Sequence, residues 1–220
     1  MIGPVEKKSN YEIIRETWRA KFLEMDHESL ARRFNLEIDP DFLSLTYFSR
    51  RYSIHRKTAR IVQLGNPDHV IGFDQELTFF NMFHYAVEFP HPSGELVPFR
   101  SVKRVYPFEA AYKKTILEPF QLRFTGHADR LQSALNALGA QPFGHADAGG
   151  KLEVFPGLCL AVTFWDADDE FPAQANMLFD SNITDYMHEE NVVMVASDAA
   201  ALLTEESGLP VPDALPGSNI

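Results

Sequence analysis

Asp166, Asp168, Asp169 and Glu170 stand within one short window that follows the apolar run from Leu158 to Val162. Carboxylates gathered where a buried strand ends can supply oxygen ligands to a hard divalent cation such as Ca²⁺ or Mg²⁺. Asp168 and Glu170 are the candidate metal ligands, with Glu190 as a third if the fold brings it near. An EF-hand loop is excluded, because its spacing sets Phe171 where the sharp turn needs glycine and Met177 where it needs a bidentate glutamate. The competing reading is a turn in which the carboxylates accept backbone N–H groups and only shape the loop. Three residues around the same strand are candidate ligand-binding groups: Trp165 as an aromatic wall, Arg100 as a clamp for a carboxylate, and Asp180 at the end of a later strand. Arg100 has a second reading, an ion pair with the acidic loop. Paired carboxylates also suit acid–base hydrolysis, but any acidic protein offers such pairs.

Other chemistry is thinner. The chain holds 8 histidines with no H-E-x-x-H pattern, and His188-Glu189-Glu190 lies at a helix start, where the dipole favours acids anyway. The single cysteine, Cys159, rules out an intramolecular disulfide and a four-thiolate metal site within one chain. Its apolar neighbours predict a buried, poorly nucleophilic thiol. No G-x-S-x-G elbow, P-loop or dinucleotide glycine pattern occurs. Arg50, Arg51, Arg56, Lys57 and Arg60 cluster, but strand alternation splits them between two faces, so they read as a charged guard on a strand edge.

The 220 residues carry a net charge of −11, unevenly placed. Residues 1–70 hold 12 basic against 10 acidic side chains, whereas residues 151–220 hold one lysine against 13 acids. An acidic third of this kind repels phosphate backbones, so no nucleic-acid partner is expected. No window reaches the roughly 18 apolar residues of a membrane span, and the N-terminus lacks a signal-peptide core. A soluble, cytoplasmic chain is expected, with a small-molecule ligand or a protein partner.

The elements that must position these residues follow from periodicity. Ile14, Trp18, Phe22 and Met25 make one helical stripe after a cap at Ser9 or Asn10, and a second helix is predicted over 28–34. Residues 42–64 read as a small antiparallel meander. A helix from Asp74 through Val87 puts Leu77, Phe80, Phe83 and Val87 on one face, and 89–98 is a proline-rich loop. Helices are predicted over 108–117 and 119–124, and a third after Thr125-Gly126 with Leu131, Ala134, Leu135 and Leu138 on one face. Gly149-Gly150 suggests a hairpin turn, 158–165 the central strand, 175–179 another strand and 189–203 a last helix. Strands and helices are segregated, which predicts one α+β domain over 1–208 with a mainly antiparallel sheet flanked by helices. A proline-rich tail, 209–220, follows.

The run F-P-G-L-C-L-A-V-T-F-W-D-A-D-D-E-F-P from Phe155 to Pro172, then L-F-D at Leu178–Asp180, Tyr186 and Glu190, resembles the signature of a bacterial and archaeal family, domain of unknown function 3786. Phe99-Arg100 and the stretch from Tyr106 to Phe124 resemble its upstream part, so the likeness covers about 30–203. The chain departs from the pattern at Cys159, Ser101, His188 and Asn191. The resemblance implies a shared fold unit and supplies no activity. Three function classes therefore stand open: a ligand-binding or accessory protein, a cation-dependent enzyme, and an interaction module with an acidic face.

Overall fold

In the computed structural model, which describes residues 9–210, two four-stranded antiparallel sheets share one core. Helices α1 (Asn10–Glu24) and α2 (His27–Phe34) lead into the first sheet, β1 (Glu37–Ile38), β2 (Phe42–Tyr47), β3 (Arg50–His55) and β4 (Ile61–Gln63), a meander in chain order. Helix α3 (Phe73–Tyr85) follows, then β5 (Leu96–Pro98), α4 (Glu109–Tyr112), a π turn over Lys113–Leu117, α5 (Glu118–Phe124) and α6 (Ala128–Ala137). The second sheet is completed by β6 (Ala148–Phe155), β7 (Leu158–Trp165) and β8 (Gln174–Asp180) in the order β5-β8-β7-β6. Helices α7 (Ile183–Tyr186) and α8 (Glu189–Ser207) close the chain. The α+β class and the antiparallel sheets agree with the reading of the sequence. The tail beyond Pro210 lies outside the described residues.

Local chemistry explains these elements. Ser9 and Glu12 form a reciprocal capping box that starts α1. Leu43, Leu45 and Tyr47 alternate inward along β2. The β2–β3 hairpin turns on Phe48 and Ser49, both left-handed at φ 46° and 61°, the backbone a two-residue primed turn requires. Neither is glycine, so the turn is strained, and tertiary contacts hold it. Phe48 is fully buried and its N–H donates to the Val154 carbonyl of β6 at 3.1 Å, while Ser49 Oγ donates to the Leu138 carbonyl at 3.0 Å. That tip ties the first sheet to the second. Behind it Tyr47, Phe79 and Phe155 pack edge to face and tilted, with Tyr47 4.9 Å from Phe155 and 5.1 Å from Phe79.

Several expectations need correction. Gly149-Gly150 is no turn: β6 runs straight through it, and the hairpin to β7 is made at Pro156-Gly157. The glycines serve close approach instead, since a Cβ on Gly149 would sit 2.4 Å from the Phe143 carbonyl and one on Gly150 2.8 Å from Ala140 Cβ. The loop predicted over 89–98 ends in a strand, β5. The two helices predicted over 108–124 are one helical run, widened into a π turn before Pro119, which has no N–H to continue the ladder. Val87 falls beyond α3 and is exposed, whereas Gln75 through Phe83 are buried on every side, because α1 and α8 both pack on this helix.

The basic stretch also reads differently. β3 is an inner strand, so Arg50 and its neighbours guard no edge. They pair instead: Arg50 with Glu205 and Glu206 of α8, Arg51 with Glu37, Arg56 with Glu28 and Lys57 with Asp41. Of these, Arg50 with Glu205 and Glu206 joins the basic N-terminal third to the acidic C-terminal third, and the other pairs lie within the N-terminal third.

Candidate functional site

The acidic loop folds onto itself. Asp168 Oδ1 accepts the N–H groups of Glu170 and Phe171 at 2.8 and 2.7 Å, and these bonds hold its carboxyl below the usual carboxylate range. Asp166 Oδ1 accepts from Gly126 and Ala167, and Asp147 Oδ2 accepts from the N–H of Asp166. Glu170 is exposed and makes no contact with Glu190, which sits in the first turn of α8. Asp180 stands at the far end of β8: Gln174 pairs with Trp165 and Asp180 with Leu96, about 20 Å along the strand. Asp180 and Glu190 therefore do not converge on the loop. Among the described residues no group of three or more His, Cys, Asp and Glu side chains is placed to hold a metal ion. An Asp168→Asn variant is expected to lose some stability through a weakened turn. Its melting response to Ca²⁺ or Mg²⁺ is expected to match the parent's in a thermal-shift titration; a response confined to the parent would restore the cation reading.

Trp165 and Asp168 do share a cleft. It measures about 410 Å³, is walled by Phe171, Gln174 and Asn176, and leaves the indole 40% exposed. Asn176 is also a wall of a neighbouring cleft of about 300 Å³ that holds Arg100, Lys113 and Met177. The ion pair expected for Arg100 does not form among the described residues. Cys159 lies on the same face of β7 as Trp165 and is half-buried rather than buried, with its thiol pushed up by burial. Cys159→Ala is accordingly expected to cost less than about 1 kcal/mol in denaturant titration, below the range for emptying a true core position. The native thiol should alkylate at pH 8 more slowly than free cysteine.

Glu190 lines a third cleft with Asp74, Met194 and Ser197, beside the π turn. Burial raises the Asp74 carboxyl, opposed by a hydrogen bond from Ser197. Behind it Tyr47 donates its hydroxyl to Asp198 at 2.7 Å. Burial pushes Asp198 up to about 7, with Tyr47 lowering it and Asp74 raising it.

One apolar site escapes any reading of spacing. A cavity of about 300 Å³ lies between the two sheets, floored by Leu45 of β2, Phe155 of β6 and Met82 of α3. Phe34 and Leu36 close one side and the Pro90–Pro92 loop the other. Arg33 reaches its rim, where Nε and Nη2 donate to the Val87 carbonyl at 3.0 and 2.6 Å beyond the end of α3. Tyr186, at the end of α7, lines the cavity and is only 6% exposed. Its hydroxyl has no hydrogen-bond partner among the described residues, yet it is not among the polar atoms sealed from solvent. Burial, then the charges of Asp180 and Asp185, push it up to about 12. Asp180 shapes this site indirectly. Its carboxylate accepts from the N–H and Oγ of Ser93 and the N–H groups of Gly94 and Asn182, pinning the loop that follows Pro92.

The walls come from six separate stretches of chain, which is why spacing could not reveal them; the prolines at 90 and 92 and the Phe155-Pro156 pair were the visible traces. Among the described residues no helix is long and apolar enough to cross a membrane. No curated protein and no solved structure matches the chain. A family model described as Domain of unknown function (DUF3786) matches residues 26–201, a span that includes both sheets and every cleft described above. The chain belongs to that family.

Proposed function

We propose that the protein is a small-molecule-binding protein whose site is the cavity between its sheets. The lining carries this reading: an apolar cavity of about 300 Å³ with Tyr186 in its wall, whose hydroxyl bonds no other described residue and is open to solvent or to a ligand. A ligand oxygen that accepts from this hydroxyl would replace water there, for the net gain of one ordinary hydrogen bond. The cavity volume is at the lower end of the range for ligand pockets, and its lining is mostly apolar with a few polar groups, as such sites are. The ligand class that fits is a compact aromatic or alicyclic molecule bearing one oxygen that accepts a hydrogen bond. A single thiol suits a reducing compartment, and a cytoplasmic accessory role belongs to the same reading.

The test uses 2-naphthol and naphthalene as probes, followed by calorimetry and thermal shift. The parent is expected to bind 2-naphthol. Tyr186→Phe should weaken it about fivefold to tenfold, the worth of one hydrogen bond near 1 kcal/mol, without changing naphthalene affinity. Leu36→Trp, which fills the half-buried mouth, should abolish both. Equal binding of 2-naphthol by the parent and the Leu36→Trp variant would overturn the assignment of the site.

A further inference from the structure

Strand β5 covers only part of β8. Leu96, Val97 and Pro98 pair with Asp180, Phe179 and Leu178, and there the ladder stops. Pro98 has no N–H to extend it, and Phe99–Ser101 turn away as a 3-10 turn. β8 continues from Gln174 to Met177 with β7 on one side and no strand on the other. The Ala175 N–H points to that side, where α5 packs against β8 and Gln121 Oε1 accepts it at 3.3 Å. A side-chain amide there stands in for the carbonyl of a missing strand.

The two clefts that meet at Asn176 occupy this gap. Asn176 is exposed and Met177 buried, so their side chains leave opposite faces of the sheet, yet both line the cleft that holds Arg100. That cleft thus opens on the edge of the strand rather than on one face. At the other end Trp165 and Phe171, 40% and 61% exposed, stand beside Asp147, Asp166 and Asp168. Among the described residues no lysine or arginine forms an ion pair with these three carboxylates, which accept only backbone N–H groups. Exposed strand edges are normally blunted or covered, because they invite another strand.

We propose that this edge docks an extended segment of a partner protein, added as a strand along Gln174–Met177, with a lysine or arginine side chain laid over Trp165 between the carboxylates. Backbone bonds to the edge would give affinity, as in strand addition generally. The cation would meet an indole face and a local negative field, both favourable to it. The site is separate from the inter-sheet cavity and does not rest on it.

A displayed library of random decapeptides, panned against the full chain, tests the proposal. Enriched peptides are expected to carry Lys or Arg amid residues of strand-forming type. A synthetic copy should bind the parent at least tenfold tighter than Trp165→Ala or Asn176→Arg, the second being an exposed change that sets a cation in the groove and leaves the core untouched. Exchanging the peptide's basic residue for Glu, or methylating alternate backbone nitrogens, should abolish binding. Hydrogen exchange at Ala175 and Met177 should slow in the complex. Failure to enrich any peptide over the Trp165→Ala panning would overturn the proposal, as would enriched peptides that bind equally after backbone methylation.

Discussion

Replacing Asp180 by alanine lowers the unfolding free energy by about 3 kcal/mol, the expected loss when one buried carboxylate that accepts several hydrogen bonds is removed and part of that loss is recovered by water. The residue is 1% exposed and serves four donors: Ser93 N–H, Ser93 Oγ, Gly94 N–H and Asn182 N–H, all at 2.9 to 3.0 Å. Three of the four reach Oδ1, and only Gly94 reaches Oδ2. Asp180→Asn with its oxygen at the Oδ1 position keeps those three and should cost only about 1 kcal/mol. Urea titrations of the two variants give the ordering directly. The alanine variant should also bind 2-naphthol more weakly, because the Pro90–Pro92 wall of the cavity loses its anchor. Equal costs for the two variants would mean that the clamp does not hold the loop as the distances imply.

The second large effect concerns pH. Asp198 has its carboxyl pushed from the ordinary range up to about 7, chiefly by burial. A carboxyl whose pKa is higher folded than unfolded stabilises the fold while protonated. Its contribution is complete below about pH 4 and is lost as pH rises through about 7. Three units of difference correspond to about 4 kcal/mol, and the residue keeps some solvent contact, so about 2 kcal/mol is the expected loss between pH 5 and pH 8. Asp198→Asn still accepts the Tyr47 hydroxyl and carries no charge. It should be more stable than the parent by about that amount at pH 8 and close to it at pH 5. Parallel stability profiles for parent and variant across that interval would sink this account.

The architecture was largely legible in the residues. Capping signals, apolar stripes and the β-branched run at Leu158–Trp165 located most helices and the inner strand of the second sheet, because local propensity and burial agree there. Gly149-Gly150 misled because the same residue that permits a turn also permits a close backbone crossing, and only the segment at Ala140–Phe143 decides between them. β5 was hidden because three residues, the last of them a proline, carry no periodicity. Of the residues singled out for chemistry, Trp165, Asp168 and Arg100 line two adjoining clefts along one groove, whereas Asp180 and Glu190 lie elsewhere. Tyr186 was visible only as part of a family pattern. Its unpartnered hydroxyl and the walls around it depend on contacts between segments more than 100 residues apart, such as Leu45 with Phe155.

The union of Tyr47 with Asp198, and of Arg50 with Glu205 and Glu206, has a consequence for how the chain is made. The first sheet is complete in sequence by Gln63, but the helix that covers its hairpin ends at Ser207. At a translation rate of about 5–20 residues per second, that interval lasts roughly 7–30 s. For the first part of it, until β6 is made, the hairpin tip at Phe48 also lacks its partner Val154. The emerging meander must wait at the ribosome with an aromatic face uncovered, and the nascent chain, rather than the finished protein, is where a holding chaperone has most to offer.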